Sequence, residues 1–312
     1  MRPLKALAAT AALLPLLALT ACGSGRATGA GAVPSAVGVD PARDVVSGVR
    51  TVDSIAALLP ADVRKAGSFT VGTAVGSAPS GYFPDPASKK AAGLDIDVTD
   101  AVAKVLGLTV NRENAAFETI LPALGSGKYQ VGTGNFGVTT ARLKAIDFVT
   151  YIDDGQGFAV KSDNTALGTV TDLTQLCGRT VGTGVGTTFE ATLNAKKSLC
   201  TDAGKKAYEV KSYSDNAAIL TALQQGRIDV EMGTINGLRY QAAQPASQTK
   251  FVGEFHRLDV GFAFQKGSAL PPAFQAAVNE LIKDGTYRQI LQKWGTTDSA
   301  VQESQISPPE HP

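Results

Sequence analysis

Apolar positions along the chain change period repeatedly, and the changes mark out elements. Phe69-Thr70-Val71-Gly72-Thr73 alternates and predicts a strand. Val98, Val102, Val105 and Leu106 then recur at helical spacing, which predicts a helix over 95–106 that Gly107 ends. Leu108-Thr109-Val110 reads as a second strand. Ile120, Leu121 and Leu124 mark a helix closed by Gly125-Ser126-Gly127, and Tyr129 to Thr133 a third strand. Strand and helix alternating in this way imply an α/β lobe with a parallel sheet.

The pattern restarts further on. Thr180-Val181-Gly182 predicts a strand, followed by a helix from Thr188. Tyr208-Glu209-Val210 predicts another strand, Ala217 to Gln225 a helix carrying Ile219, Leu220 and Leu223, and Ile228-Asp229-Val230 a strand. This is a second α/β lobe, with no strict sequence repeat joining it to the first. Two apolar stripes close the pattern, one of Phe274, Val278, Leu281 and Ile282 and one of Tyr287, Ile290, Leu291 and Trp294, with Asp284-Gly285-Thr286 between them. Aromatics at that spacing belong in a core, and Trp294 is read so. Before the first lobe, 52–66 predicts a short helix interrupted at Pro60, and Gly23 to about Ser47 a flexible tether. The segment 297–312 is polar and proline-rich and predicts disorder. The expected organisation is therefore 1–21 a targeting segment, 22–67 tether and short helix, 68–157 plus 262–296 the first lobe, 158–261 the second, and 297–312 a tail.

The first residues change the picture from a free globule to an exported one. Met1-Arg2-Pro3-Leu4-Lys5 is basic, Ala6 to Leu19 is apolar but too short to span a bilayer, and Leu19-Thr20-Ala21-Cys22 puts small residues before a cysteine. That sequence resembles a bacterial lipobox, in which lipid is added to the cysteine thiol and cleavage leaves Cys22 as the first residue. The alternative is an ordinary secretory signal cut beside a cysteine. Lipidation would hold the protein on the outer face of the cytoplasmic membrane. Cys177 and Cys200 then remain, and outside the cytoplasm two such cysteines are expected to pair, with about 3 kcal/mol of stabilisation; the alternative is two separated thiols. Hydrophobic residues make up 44% of the chain, enough for two cores, and a net charge of +1 gives no field for nucleic acid. His256 and His311 are the two histidines, and neither has Cys-His spacing, so no metal is expected.

Two stretches carry candidate chemistry. In Gly134-Asn135-Phe136-Gly137-Val138-Thr139-Thr140-Ala141-Arg142 a strand runs into a short helix, and strand ends are where ligands bind in open α/β sheets. Glycine there lets backbone N–H groups approach an anion, Thr139 suits a cap, and Arg142 can clamp a carboxylate bidentately. Taken alone, Arg142 also fits a solvated surface residue. In Gly184-Val185-Gly186-Thr187-Thr188-Phe189-Glu190, Thr187 and Glu190 match a capping box, and the helix start with the Thr188 hydroxyl makes an anion site or merely a structural cap. The run from Gly182 to Gly186 lacks G-x-G-x-x-G spacing, so no dinucleotide cofactor is expected, and none of another kind.

From about Phe69 to Gly295 the chain resembles the extracellular solute-binding proteins of family 3, the polar amino-acid receptors of ABC importers. Gly93-Leu94-Asp95-Ile96-Asp97-Val98 is similar to the family's "GFDVDL", Phe117 to Leu124 to "WDGLIPAL", and Gly127-Lys128-Tyr129 to "GKY". Val138 to Arg142 resembles "ITPER" and Ile146-Asp147-Phe148 resembles "VDF"; Gly186-Thr187-Thr188, Gly226-Arg227-Ile228-Asp229, and Asp284 through Gly295 match in the same order. The resemblance implies a periplasmic-binding-protein-like α/β fold of type II, with two lobes joined by a two-strand hinge and a solute buried between them. It implies that Arg142 holds the solute carboxylate with the Gly137 N–H and Thr139, that Thr188 reaches it from the second lobe, and that Phe117 packs on the solute side chain. Asn135, Tyr82 and Thr234 complete the expected site. It further implies a monomer working with permease and ATPase subunits.

Departures from the family pattern qualify the solute. Receptors of α-amino acids place an aspartate where Thr234 stands, to hold the ammonium. Ala74 and Ser77 occupy early-loop positions where acidic and aromatic contacts are common, and Gln130 replaces the aspartate of "YDV". Glu231, Asn236 or Asp259 takes the ammonium, or the solute lacks one; Glu231 by itself reads as an outward-facing strand residue. Two rival functions share the scaffold: a dehydratase-like enzyme, for which no nucleophile–base pair or acidic dyad stands out, and a lipoprotein that senses a solute without transporting it.

Overall fold

The computed structural model of the protein describes residues 39–311 with the exception of Pro86 and Ser88. The targeting segment 1–21, the lipidation at Cys22 and the tether as far as 38 lie outside the described residues.

Short helices α1 (Asp53–Ala56) and α2 (Ala61–Ala66) lead into the first lobe, with Pro60 as the cap between them. There β1 (Ser68–Ala74), α3 (Leu94–Val105), β2 (Thr109–Ala115), α4 (Phe117–Gly125) and β3 (Val131–Gly137) follow the predicted alternation. A long strand β4 (Ile146–Lys161) carries the chain into the second lobe. That lobe is built from β5 (Thr180–Gly184), α5 (Thr188–Ala195), α6 (Ser198–Asp202), β6 (Glu209–Tyr213), α7 (Asn216–Gln224), β7 (Val230–Thr234) and α8 (Ile235–Ala242). A second long strand, β8 (Thr249–Gln265), returns to the first lobe, which α9 (Pro271–Asp284) and α10 (Thr286–Trp294) complete. The strand order is β2-β1-β3-β8-β4-β7-β5-β6. Strands β1–β3 are parallel to one another, as are β5–β7, while β4 and β8 run antiparallel in the middle and belong to both lobes. The predicted strand 228–230 falls later, at 230–234, because Asp229 is spent on the edge of β5: its N–H donates to the Thr180 carbonyl and its carboxylate accepts from the Thr180 N–H at 2.8 Å.

Each lobe has its own core. The first packs α3, α9 and α10 on the sheet, with Phe69, Phe262 and Phe264 edge-on to Phe274. The second joins Phe158, Val160, Val181, Val230 and Met232 to Leu193 and Cys200. Along β4, Ile152 is the last residue in the first of these cores and Phe158 the first in the second. Burial of these side chains at roughly 25 cal/mol per Å² of apolar surface is what holds each lobe together. Cys177 and Cys200 form a disulfide with Cα atoms 5.5 Å apart, tying the turn after Leu176 to α6.

The family-like motifs turn out to be struts. Asp97 of α3 accepts from Trp294 Nε1 at 2.7 Å and pairs with Lys293 at 2.8 Å, so the motif near Gly93 pins the closing helix. Asp147 accepts from Lys266 Nζ and the Gly267 N–H, both at 2.7 Å. Gln130 accepts from the Thr70 N–H at 2.9 Å, which keeps β1 and β3 in register where the family has aspartate.

Residues 39–47 are not a free tether: Val39, Val45 and Val46 pack on the first-lobe core, and Lys104 Nζ donates to the Ser47 carbonyl at 3.1 Å. The composition of 297–312 predicts disorder, yet the described part, to His311, is strapped along β4. The Thr150 N–H donates to the Gln305 carbonyl at 3.0 Å and the Ser307 N–H to the Phe148 carbonyl at 2.9 Å. Ser304 is fully buried, and its hydroxyl donates to the Thr150 carbonyl at 2.6 Å. An unpaired strand edge supplies backbone hydrogen bonds to any sequence that lacks its own core, and this tail uses them.

Candidate functional site

A cavity of about 680 Å³ opens between the lobes. Its first-lobe wall includes Ala74, Ser77, Phe117, Asn135 and Arg142; its second-lobe wall includes Thr188, Asp215, Glu231, Thr234 and Gln241. The lobes touch across it. Arg142 Nη2 donates to the Gly186 carbonyl at 3.3 Å, and Asn216 Nδ2 donates to the Gly76 carbonyl at 3.4 Å. Gly186 has φ +71°, and a Cβ there would come within 3.0 Å of the Glu118 Cβ, so the close approach requires glycine.

Arg142 is held from three directions. Thr139 Oγ1 accepts from the Arg142 N–H at 3.2 Å and so fixes the single 3-10 turn Arg142–Lys144. Arg142 Nη1 donates to the Gly137 carbonyl at 3.0 Å. The guanidinium carbon lies 5.8 Å from both the Phe117 and Phe136 ring centres, and those rings stack at 4.7 Å. Burial pushes the Arg142 pKa down to about 10, which leaves it protonated at neutral pH. Among the described residues it makes no ion pair. It is also the sole Lys, Arg or His among the described residues lining the cavity.

Opposite, α5 begins at Thr188. Thr187 caps it by accepting from the Glu190 N–H at 3.2 Å, and Glu190 accepts in turn from the Gly186 N–H at 2.8 Å. The reciprocal bond thus reaches one residue further back than a capping box. The first turn of a helix leaves N–H groups unpaired at a positive dipole end, so this terminus, with the Thr188 hydroxyl, favours an anion facing Arg142.

Five of the eight expected residues therefore line the cavity: Phe117, Asn135, Arg142, Thr188 and Thr234. Gly137 and Thr139 do not line it; the Gly137 carbonyl and the Thr139 hydroxyl accept from Arg142 itself. Tyr82 is set back from the lining. Its ring is edge-on to Trp294 at 6.1 Å and packs at the same distance on Tyr240, which does reach the cavity. Thr234 caps α8 by accepting from the Gly237 N–H at 3.0 Å.

The ammonium alternatives separate on geometry. Asn236 is buried away from the cavity, donating through its N–H to Asp154 and through Nδ2 to Ser299 Oγ. Asp259 pairs with His311 at 2.8 Å on the outer surface. Glu231 lines the cavity and is not outward-facing: it is 5% exposed, because the strand alternation that sends Val230 and Met232 into the core turns Glu231 under α7 and α8. Gln241 Nε2 donates to Glu231 Oε2 at 2.7 Å. Burial pushes the Glu231 pKa up to about 7, against the opposing pull of that bond.

Behind Asn135 is a polar knot on the crossing strand. Asn135 has left-handed backbone (φ +57°). Its N–H donates to Asp95 Oδ2 at 2.9 Å and its Nδ2 to Asp154 Oδ2 at 3.0 Å. Tyr151 donates to Asp95 Oδ1 at 2.8 Å, and the Gly155 and Asn236 N–H groups donate to Asp154 Oδ1. Asn236 belongs to the second lobe, so Asp154 bonds to both lobes where β4 crosses between them.

Comparison with known proteins agrees with this architecture. The chain is 28% identical to an arginine-binding protein of Corynebacterium glutamicum over 82% of this chain and 83% of that one. Among solved structures, an ancestral arginine-binding protein bound to arginine is 33% identical with a TM-score of 0.65, covering 73% of this chain and 98% of that one. An ancestral amino-acid-binding protein described as a precursor of cyclohexadienyl dehydratase is 27% identical with a TM-score of 0.65, covering 75% and 97%. Residues 69–297 match the family model of the bacterial extracellular solute-binding proteins, family 3, and the chain belongs to that family.

Proposed function

We propose that the protein captures a small carboxylate-bearing solute of the amino-acid class in the cleft between its lobes and delivers it to the permease and ATPase of an ABC importer. The observation that carries this reading is Arg142: a half-buried, charged guanidinium lining the cleft, without an acidic partner among the described residues, aimed at the start of α5. In this reading the solute carboxylate pairs with Arg142 and accepts from the Thr188 hydroxyl and the N–H groups beside it. Phe117 and Asn135 flank the solute, and Thr234 offers a hydroxyl from the second lobe. One solute touching both lobes favours the closed arrangement, since differential contact is what shifts such an equilibrium. Residues 68–157 with 262–296, and residues 158–261, are the two bodies that would move about the crossing strands.

Lipidation at Cys22 after removal of 1–21 would hold this receptor on the outer face of the cytoplasmic membrane. Mass spectrometry of the membrane-extracted protein checks it: a diacylated peptide starting at Cys22 is expected. The receptor role is tested by a thermal-shift screen over amino acids, amines and organic acids. A solute that stabilises the wild type should lose at least about 100-fold in affinity with Arg142→Ala, the scale set by stripping one partner from a buried charge pair. Unchanged affinity in that variant would remove Arg142 from the site, and chemical turnover of the solute would replace the receptor reading with an enzyme on the same scaffold.

A further inference from the structure

The cavity does not end at Arg142 and Thr188. It continues into the second lobe between α7 and α8, where Leu220, Gln241 and Ser247 line it together with Glu231. Gly237 of α8 faces the first lobe: a Cβ there would lie 3.3 Å from Ser77 Oγ. Gln241 is four residues further on, about 6 Å deeper along the helix. Gln224 of α7 holds Ser247 by donating through Nε2 to its carbonyl at 2.9 Å.

Glu231 is the distinctive group in this branch. Of the carboxylates lining the cavity, Glu118 is exposed on the first turn of α4, and Asp215 is committed to α7, accepting from the Ala217 and Ala218 N–H groups at 2.7 and 3.1 Å. Glu231 is buried and receives one hydrogen bond, on Oε2 from Gln241. Among the described residues Oε1 receives none, and no Lys, Arg or His pairs with the carboxylate. Gln241 uses its amide nitrogen on Glu231 and Thr249, which leaves its carbonyl oxygen as a second acceptor. A buried carboxylate with a bare oxygen next to a free acceptor is complementary to a group that only donates, and an ammonium or guanidinium also neutralises its charge.

We propose that this branch is a cation subsite: the solute is an extended molecule whose carboxylate lies at Arg142 and whose distal ammonium or guanidinium ion-pairs with Glu231 Oε1 and donates to the Gln241 carbonyl oxygen. The inference rests on the receptor reading above, narrows it to amino acids with a cationic side chain, and assigns Glu231 to that distal charge in place of the α-ammonium. It also gives the second lobe a selective role. A neutral solute of the same length leaves Glu231 buried and uncompensated, so the branch rejects it as well as attracting the cation. The burial that holds the Glu231 carboxyl near 7 is the cost that a bound cation would offset.

Isothermal titration of the full-length protein with arginine, lysine, citrulline and glutamine tests this, alongside Glu231→Gln and Arg142→Ala. The wild type is expected to prefer arginine or lysine over the uncharged citrulline by about 100-fold, the scale of a desolvated charge pair. Glu231→Gln is expected to reduce that preference to within about threefold while citrulline binding holds or improves. A wild type that prefers citrulline or glutamine, or binds none of the cationic solutes, overturns the subsite whatever the folding of the variants. Retention of the cation preference in Glu231→Gln overturns it too. Loss of all binding in Arg142→Ala together with an unchanged preference in Glu231→Gln would sink the subsite and keep the receptor reading; unchanged binding in Arg142→Ala would sink the receptor reading itself.

Discussion

Buried carboxylates occur in two places near the cleft, and they are treated in opposite ways. At the crossing of β4, every oxygen of Asp95 and Asp154 has a donor, supplied by Tyr151, Asn135, Gly155 and Asn236. In the second-lobe branch, Glu231 has one donor and one bare oxygen facing the cavity. Burial raises the pKa of all three acids, and Asp95 like Glu231 reaches about 7. The shift therefore does not distinguish them, whereas the count of donors does. A saturated carboxylate fixes backbone on both sides of a hinge; an unsaturated one that lines a cavity is suited to a donor from outside the chain.

Substitutions should separate the two sites. Asp154→Ala strands the Gly155 and Asn236 N–H groups and leaves Asn135 Nδ2 with Ser80 Oγ alone, and is expected to cost about 4 kcal/mol in urea unfolding while solute preference among folded molecules stays unchanged. Glu231→Gln is expected to do the reverse at pH 8. A carboxyl whose pKa rises from 4.5 to about 7 on folding holds its proton more tightly in the native chain, so its contribution to stability is full below 4.5 and is lost as pH rises through about 7. Removing the charge should raise unliganded stability by up to about 3 kcal/mol at pH 8 and leave it unchanged at pH 4. Equal destabilisation at both pH values would make Glu231 a second structural knot and break the contrast. Gln241→Ala is the smallest step: loss of its hydrogen bond should cost about 1 kcal/mol and push the Glu231 pKa further up, read by carboxyl NMR titration.

Much of the scaffold was legible because it rests on periodic burial. The stripe Val98, Val102 and Val105 became α3, and Trp294 went to the core as its spacing implied. That Arg142 and Thr188 line the cleft was legible too, since each follows a strand at a turn rich in glycine. Other features depend on partners distant in sequence. The strap at Ser304 and Ser307 relies on the edge of β4, about which its own composition says nothing. The bonds from Arg142 to the Gly137 carbonyl and from its N–H to the Thr139 hydroxyl are not legible either, because residue type alone does not say which way a carbonyl or hydroxyl turns. Glu231 reads as an outward strand residue from its own sequence because the cover that α7 and α8 give that face of the sheet comes from residues distant in the chain. One signal was available: Val230 and Met232 flank it, and a strand of this kind, covered on both faces, has no outward side.

In the proposed complex one solute joins Arg142 in the first lobe to Glu231 in the second. The most direct measurement is a crystal structure of the protein with saturating arginine. The carboxylate is expected within about 3 Å of the Arg142 guanidinium and the Thr188 hydroxyl, with the distal guanidinium within about 3 Å of Glu231 Oε1. A solute bound with its carboxylate away from Arg142, or with its cationic end outside the branch and Glu231 still unpaired, would contradict it.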